Sequence, residues 1–135
     1  MERAIIKDVV ILSKKCEPAQ RSDLSIGQDL VDTLHANKRS VGLAANMIGV
    51  SKRIIVVKFG KTELLMFNPV LRAKHSRYTN EEGCLSLEGA RTVTRYFTIT
   101  VEYRDPDWKL RTITFHGLPA EIVQHEMDHL EGILI

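Results

Sequence analysis

Near its end the chain reads Gln124-His125-Glu126-Met127-Asp128-His129, and this stretch restricts the possible folds more than any other. Ile122, His125, Glu126 and His129 recur at i, i+3, i+4 and i+7, the spacing of one helix face. The spacing predicts a helix from about Pro119 to Glu131. Proline suits its first turn, where an N–H is unpaired anyway, and Gly132 stands where a C′ residue belongs. The face that meets the core therefore carries two imidazoles and a carboxylate, which are costly to bury without partners. A metal ion resolves that cost. Histidines four apart lie one above the other, so both rings can reach one ion, and Glu126 can contact a water on it. A surface helix with two coincidental histidines is the bland alternative. Glu121, Gln124, Asp128 and Glu131 read as the opposite, solvated edge.

Only Leu130 to Ile135 follow the second histidine, and none of them can serve as a third ligand, since Glu131 is on the wrong face. The third ligand is expected from upstream, among Cys16, His35, His75, Cys84, His116 and the carboxylates. His35 ends a helix, His75 lies between Lys74 and Arg77, and His116 ends a strand; surface or packing roles suit all three. Cys16, in a polar stretch, suits a small filler. Cys84 sits in Glu82-Gly83-Cys84-Leu85-Ser86, read as a compact loop before a hairpin. A thiolate with two imidazoles leaves a fourth position open for water, the arrangement of catalytic rather than structural sites. Taken alone, Cys84 reads as a buried, inert cysteine.

The remaining elements place this helix in an α+β domain spanning residues 1–135. Ile26, Leu30, Val31 and Leu34 predict a helix from about Leu24 to Asn37. Arg53 to Phe59 and Glu63 to Phe67 read as strands, the second interrupted at Asn68-Pro69 because proline cannot donate to a ladder, with Val70 to Ala73 read as continuing the sheet beyond it. Val93, Phe97, Ile99, Val101 and Tyr103 alternate with polar residues, with Arg95 the exception on the apolar side. Asp105-Pro106-Asp107 marks a turn into a partner strand, Leu110 to Phe115. A net charge of +2 gives no basic stripe for nucleic acid, and two cysteines give no disulfide framework. There is no signal-peptide core and no apolar run of membrane length. A cytoplasmic protein is expected.

Three motifs occur in order: Gly42-Leu43-Ala44-Ala45, Glu82-Gly83-Cys84-Leu85-Ser86, and Gln124-His125-Glu126-Met127-Asp128-His129. In this the chain resembles the peptide deformylase family along essentially its whole length. The resemblance implies antiparallel β-sheets packed around a central metal-binding helix. It implies metal ligands at Cys84, His125 and His129, Glu126 as general base and acid, and the backbone N–H of Leu85 as an oxyanion donor. It implies a substrate pocket that includes Val41, Gly42, Leu118 and Ile122. The implied reaction is hydrolytic removal of the N-formyl group from the initiator methionine of new polypeptides, a step of protein biosynthesis. The implied ion is Fe²⁺ in the cell, with Zn²⁺ or Ni²⁺ tolerated; one thiolate and two imidazoles suit all of them. The partners are then formyl-Met nascent peptides near the ribosome, acted on by a monomer.

Two positions depart from the family pattern. Ser40 stands for a glycine, and Met47 for a glutamine whose side chain ordinarily donates to the oxyanion. Methionine has similar length and no N–H. The leading reading is a deformylase of the short type, with activity attenuated by Met47. The second is a catalytically impaired relative that binds metal and formyl-peptide ends without efficient turnover. The third is a domain with a structural metal, against which Glu126 and the open fourth position argue.

Overall fold

The computed structural model describes residues 1–135. A single antiparallel sheet forms its frame, with strands in chain order: β1 (Gly42–Ala44), β2 (Ile54–Phe59), β3 (Thr62–Cys84), β4 (Leu87–Arg104) and β5 (Leu110–His116). Three helices accompany it: α1 (Val9–Leu12), α2 (Leu24–Ala36) and α3 (Leu118–Leu130). Helix α3 packs across β1, β2 and β4, so the sheet supplies the floor against which its inward face is buried. The core is built from the consecutive run Ile54-Ile55-Val56-Val57 of β2, Leu30 and Leu34 of α2, Met66 and Phe67 of β3, and Ile99 and Val101 of β4. The run in β2 is apolar throughout because that strand is covered on both faces. Leu43, Ala44 and Ala45 are fully buried, and the small alanine side chains let the chain beside β1 lie close under α3.

Three sequence expectations change. Strand β3 runs through Asn68-Pro69 as one element and on past Ala73 to Cys84. The register shifts between Phe67 and Val70, so the pair sits at a bulge where proline's missing N–H is not called upon. Asn68 adopts φ 53, and its side chain bonds the backbone N–H and C=O of Ala19 at 2.7 and 2.9 Å, a substitute for lost ladder bonds. Secondly, the segment Glu82 to Ser86 is no loop before a hairpin. Cys84 ends β3 and pairs with Leu87, so the motif is itself the turn of the long β3–β4 hairpin. Thirdly, the alternation in β4 has its exception at Phe97, which is 52% exposed, while Arg95 is 2% exposed.

Candidate metal centre

Helix α3 and the β3–β4 turn converge on one point. Sγ of Cys84 and one ring nitrogen each of His125 and His129 lie within 4.8 Å of one another. The two Nε2 atoms face each other at 3.2 Å. His129 is fully buried and His125 nearly so. The Sγ of Cys84 accepts from the backbone N–H of Ser86 at 3.3 Å, a donor suited to a thiolate. His35 instead pairs with Glu63 on the surface, His116 bonds Thr98, His75 is exposed, and Cys16 is a buried core residue, so none joins this cluster.

The imidazole of His125 is oriented by what its other nitrogen meets. His125 Nδ1 lies 2.7 Å from Oε1 of Glu82. Glu82 in turn receives Arg95 Nε at 3.1 and 3.0 Å and Arg95 Nη2 at 2.6 Å, and Asn80 Nδ2 at 3.0 Å. Arg95 Nη1 reaches Asp128 on α3 at 2.6 Å. One buried guanidinium thus ties the hairpin that carries Cys84 to the helix that carries both histidines. Burying such a charge is tolerable only because it is paired on both sides. Burial alone would raise the Glu82 carboxyl, but its bonds from His125, Arg95 and Asn80 hold it well below the usual range. Burial, followed by the charges of His125 and Arg95, pushes His129 down to about 3.

Glu126 follows His125 on the inward face. Burial pushes its carboxyl up to about 7, against the opposing pull of His125. Its Oε1 is buried without a partner. The carboxylate packs on Gly42: a Cβ built there would lie 2.7 Å from Oε2 of Glu126. Gly42→Ala is therefore expected to push the carboxylate aside and lower kcat about tenfold, with metal content unchanged, since misplacement by about 1 Å can cost 10²-fold. Steady-state assays with metal analysis check this.

The cluster opens into a cavity of about 380 Å³ lined by Val41, Gly42, Met47, Leu85, Leu118 and Ile122 among others. Every substrate-contact residue expected from sequence lines it. The backbone N–H of Leu85 makes no hydrogen bond within the protein. Ser40 is absent from the residues with positive φ, so it fits its position without strain, and its hydroxyl donates to the carbonyl of Gly42 at 2.9 Å. Met47 is buried, and its Sδ accepts from the N–H of Ala44 at 3.4 Å.

The supporting residues went unread in the sequence. Arg95 carried a signal, as a charged residue among the apolar positions of an alternating strand. Glu121 and Gln124, expected on a solvated edge, are covered by the hairpin. Gln124 exchanges hydrogen bonds with the backbone of Tyr96 at 2.8 Å each way, and Glu121 accepts from Tyr78 Oη and Asn80 Nδ2 at 2.9 and 2.6 Å.

The donor set fits a divalent transition ion. One sulfur and two imidazole nitrogens converge in a buried position with ring nitrogens turned toward each other, and an unpaired carboxylate lies alongside. An α+β fold with such a centre at the foot of a cavity defines a metal-dependent hydrolase. A family model described as polypeptide deformylase matches residues 4–135. The peptide deformylase of Clostridium beijerinckii is 48% identical over 136 residues, covering 100% of each chain. The Met-Ala-Ser-bound class I type b peptide deformylase of Acinetobacter baumannii superposes with a TM-score of 0.90 at 29% identity, over 99% of this chain and 97% of that one. The Legionella pneumophila peptide deformylase superposes equally, at 0.90 and 37% identity, over 99% of this chain and 83% of that one. The chain belongs to the polypeptide deformylase family.

Proposed function

We infer that this protein is a peptide deformylase: a single-domain, metal-dependent hydrolase that removes the N-formyl group from the N-terminal methionine of newly made polypeptides. The observation that carries the reading is the convergence of Cys84, His125 and His129 within 4.8 Å, beside the buried, unpartnered carboxylate of Glu126. Cys84, His125 and His129 would hold the ion, Fe²⁺ in the cell, with Zn²⁺ or Ni²⁺ substituting in preparations. When bound, that ion lowers the pKa of a water and polarises the formyl carbonyl. Glu126 takes the proton of the attacking water on its carboxylate and returns it to the leaving amine. The free N–H of Leu85 donates to the developing oxyanion. Val41, Leu118 and Ile122 receive the methionine side chain, and Gly42 lines the same channel. Glu82 and Arg95 keep the His125 ring in place.

Met47 has no donor to add to the oxyanion, so turnover is attenuated. The same observation supports the second reading, a chain that binds formyl-peptide ends with little turnover. The protein works as a monomer in the cytoplasm, on nascent chains near the ribosome. No helix is long and apolar enough to cross a membrane.

The test is hydrolysis of formyl-Met-Ala-Ser by anaerobic Fe²⁺-loaded protein. Formate release is expected, its loss after chelation, and its recovery on returning Fe²⁺. No release with Fe²⁺, Co²⁺ or Ni²⁺, under conditions where the Clostridium beijerinckii relative works, overturns the reading.

A further inference from the structure

Two buried polar atoms near the centre lack partners and complement each other. With His129 Nε2 turned toward Nε2 of His125 as a ligand atom, the ring that holds an ion there carries its hydrogen on Nδ1, and Nδ1 is buried without a partner. Buried N–H groups of ligand histidines ordinarily donate to an acceptor that fixes ring and tautomer. The Oδ1 of Asn46 is likewise buried and unpartnered, on a residue with no exposed surface. Its Nδ2 donates to the backbone carbonyl of His129 itself at 2.8 Å. That bond also settles which amide atom is which, because the reversed amide would set Oδ1 against a carbonyl. The two other unpartnered buried atoms lie elsewhere: Glu126 packs on Gly42, and Ser86 belongs to the hairpin turn beside Cys84.

The geometry points to Asn46 as a positioning residue for the metal ligand His129, its Oδ1 taking the Nδ1–H across one buried water while its Nδ2 fixes the carbonyl. A water at that point has an acceptor on one side and a donor on the other, as buried waters require. The tight turn Ala45–Ile48 makes this possible by directing consecutive residues to different tasks. Asn46 reaches the C-terminal end of α3, where the His129 carbonyl also accepts from Gly132 N at 3.0 Å. Met47 turns its sulfur back to Ala44. The inference rests on the metal-centre reading given above.

Wild type, Asn46→Leu and Asn46→Asp are compared by chelator competition for Zn²⁺ and by long-range proton–nitrogen NMR of the zinc-loaded imidazoles. Asn46→Leu is expected to bind Zn²⁺ about 10–100-fold more weakly. The His129 Nδ1–H is expected to exchange slowly in wild type and fast in Asn46→Leu. Asn46→Asp keeps an acceptor for the Nδ1–H but sets a carboxylate oxygen against the His129 carbonyl, so it is expected to keep the slow exchange while losing affinity. Equal zinc affinity in wild type and Asn46→Leu overturns the inference, as does equally fast Nδ1–H exchange in both variants, which marks a packing role. A wild-type His129 with its hydrogen on Nε2 overturns it too. If Asn46→Leu does not fold, the wild-type tautomer and the aspartate variant decide. Failure of wild type itself to bind zinc strikes the metal-centre reading instead, so the two failures are distinct.

Discussion

Replacing Glu126 by glutamine is expected to lower kcat on formyl-Met peptides by about 10²–10⁴-fold, the usual contribution of a positioned general acid–base. Metal content and fold should be retained. The side chain has no structural bond to lose: Oε1 is unpartnered, and Oε2 rests against the open Cα of Gly42. Glutamine has the same shape and cannot accept and return a proton. Burial has already placed the Glu126 carboxyl at about 7, where gain and loss of a proton are both accessible near neutral pH. Because the same proton is taken up and handed on during one turnover, kcat and kcat/KM should fall together while peptide binding persists. Steady-state kinetics with metal analysis of both proteins check this. A variant that keeps its metal and hydrolyses at the wild-type rate removes Glu126 from the mechanism.

The sheet and the metal helix were legible in the sequence because each announces itself through burial with a period. Val93 to Tyr103 alternates, Ile54 to Val57 is continuously apolar, and α3 repeats at helical spacing. The outer half of the β3–β4 hairpin was not legible, for a physical reason. Lys74 to Arg77 are exposed, so no apolar face leaves a pattern, and the strand persists through its ladder with β4 alone. That the strand passes Pro69 unbroken depends on a bulge and on a side chain, Asn68, bonding a residue 49 positions away. The same division holds at the centre. Ligand types and spacing identify His125, Glu126 and His129 locally, whereas the clamp through Glu82, Arg95 and Asp128 exists only once hairpin and helix are brought together. Asn46 is the extreme case. Its partner is 83 residues distant, and nothing in its own neighbourhood of sequence points there.

Met47→Gln is expected to raise kcat by about 10²–10³-fold, the effect usually measured when one oxyanion donor is removed, here run in reverse. The structure explains why methionine is tolerated at all. Its Sδ accepts from the N–H of Ala44 at 3.4 Å and so closes the tight turn after β1. A glutamine Oε1 can take that same N–H, leaving Nε2 free to donate into the cavity. Methionine thus keeps the acceptor that holds the turn and lacks the donor that serves the reaction. The new amide should stabilise charge that develops only in the transition state, so kcat and kcat/KM should rise together and KM should change little. Its unfilled donor in the resting protein costs about 1 kcal/mol of stability, readable as a small fall in Tm. Formate release by wild type and variant, loaded with Fe²⁺ in parallel, separates the possibilities. An unchanged kcat in a well-folded Met47→Gln protein would mean that the Leu85 N–H already suffices as the chain's own donor, that Met47 serves packing alone, and that the wild type is not attenuated at this position.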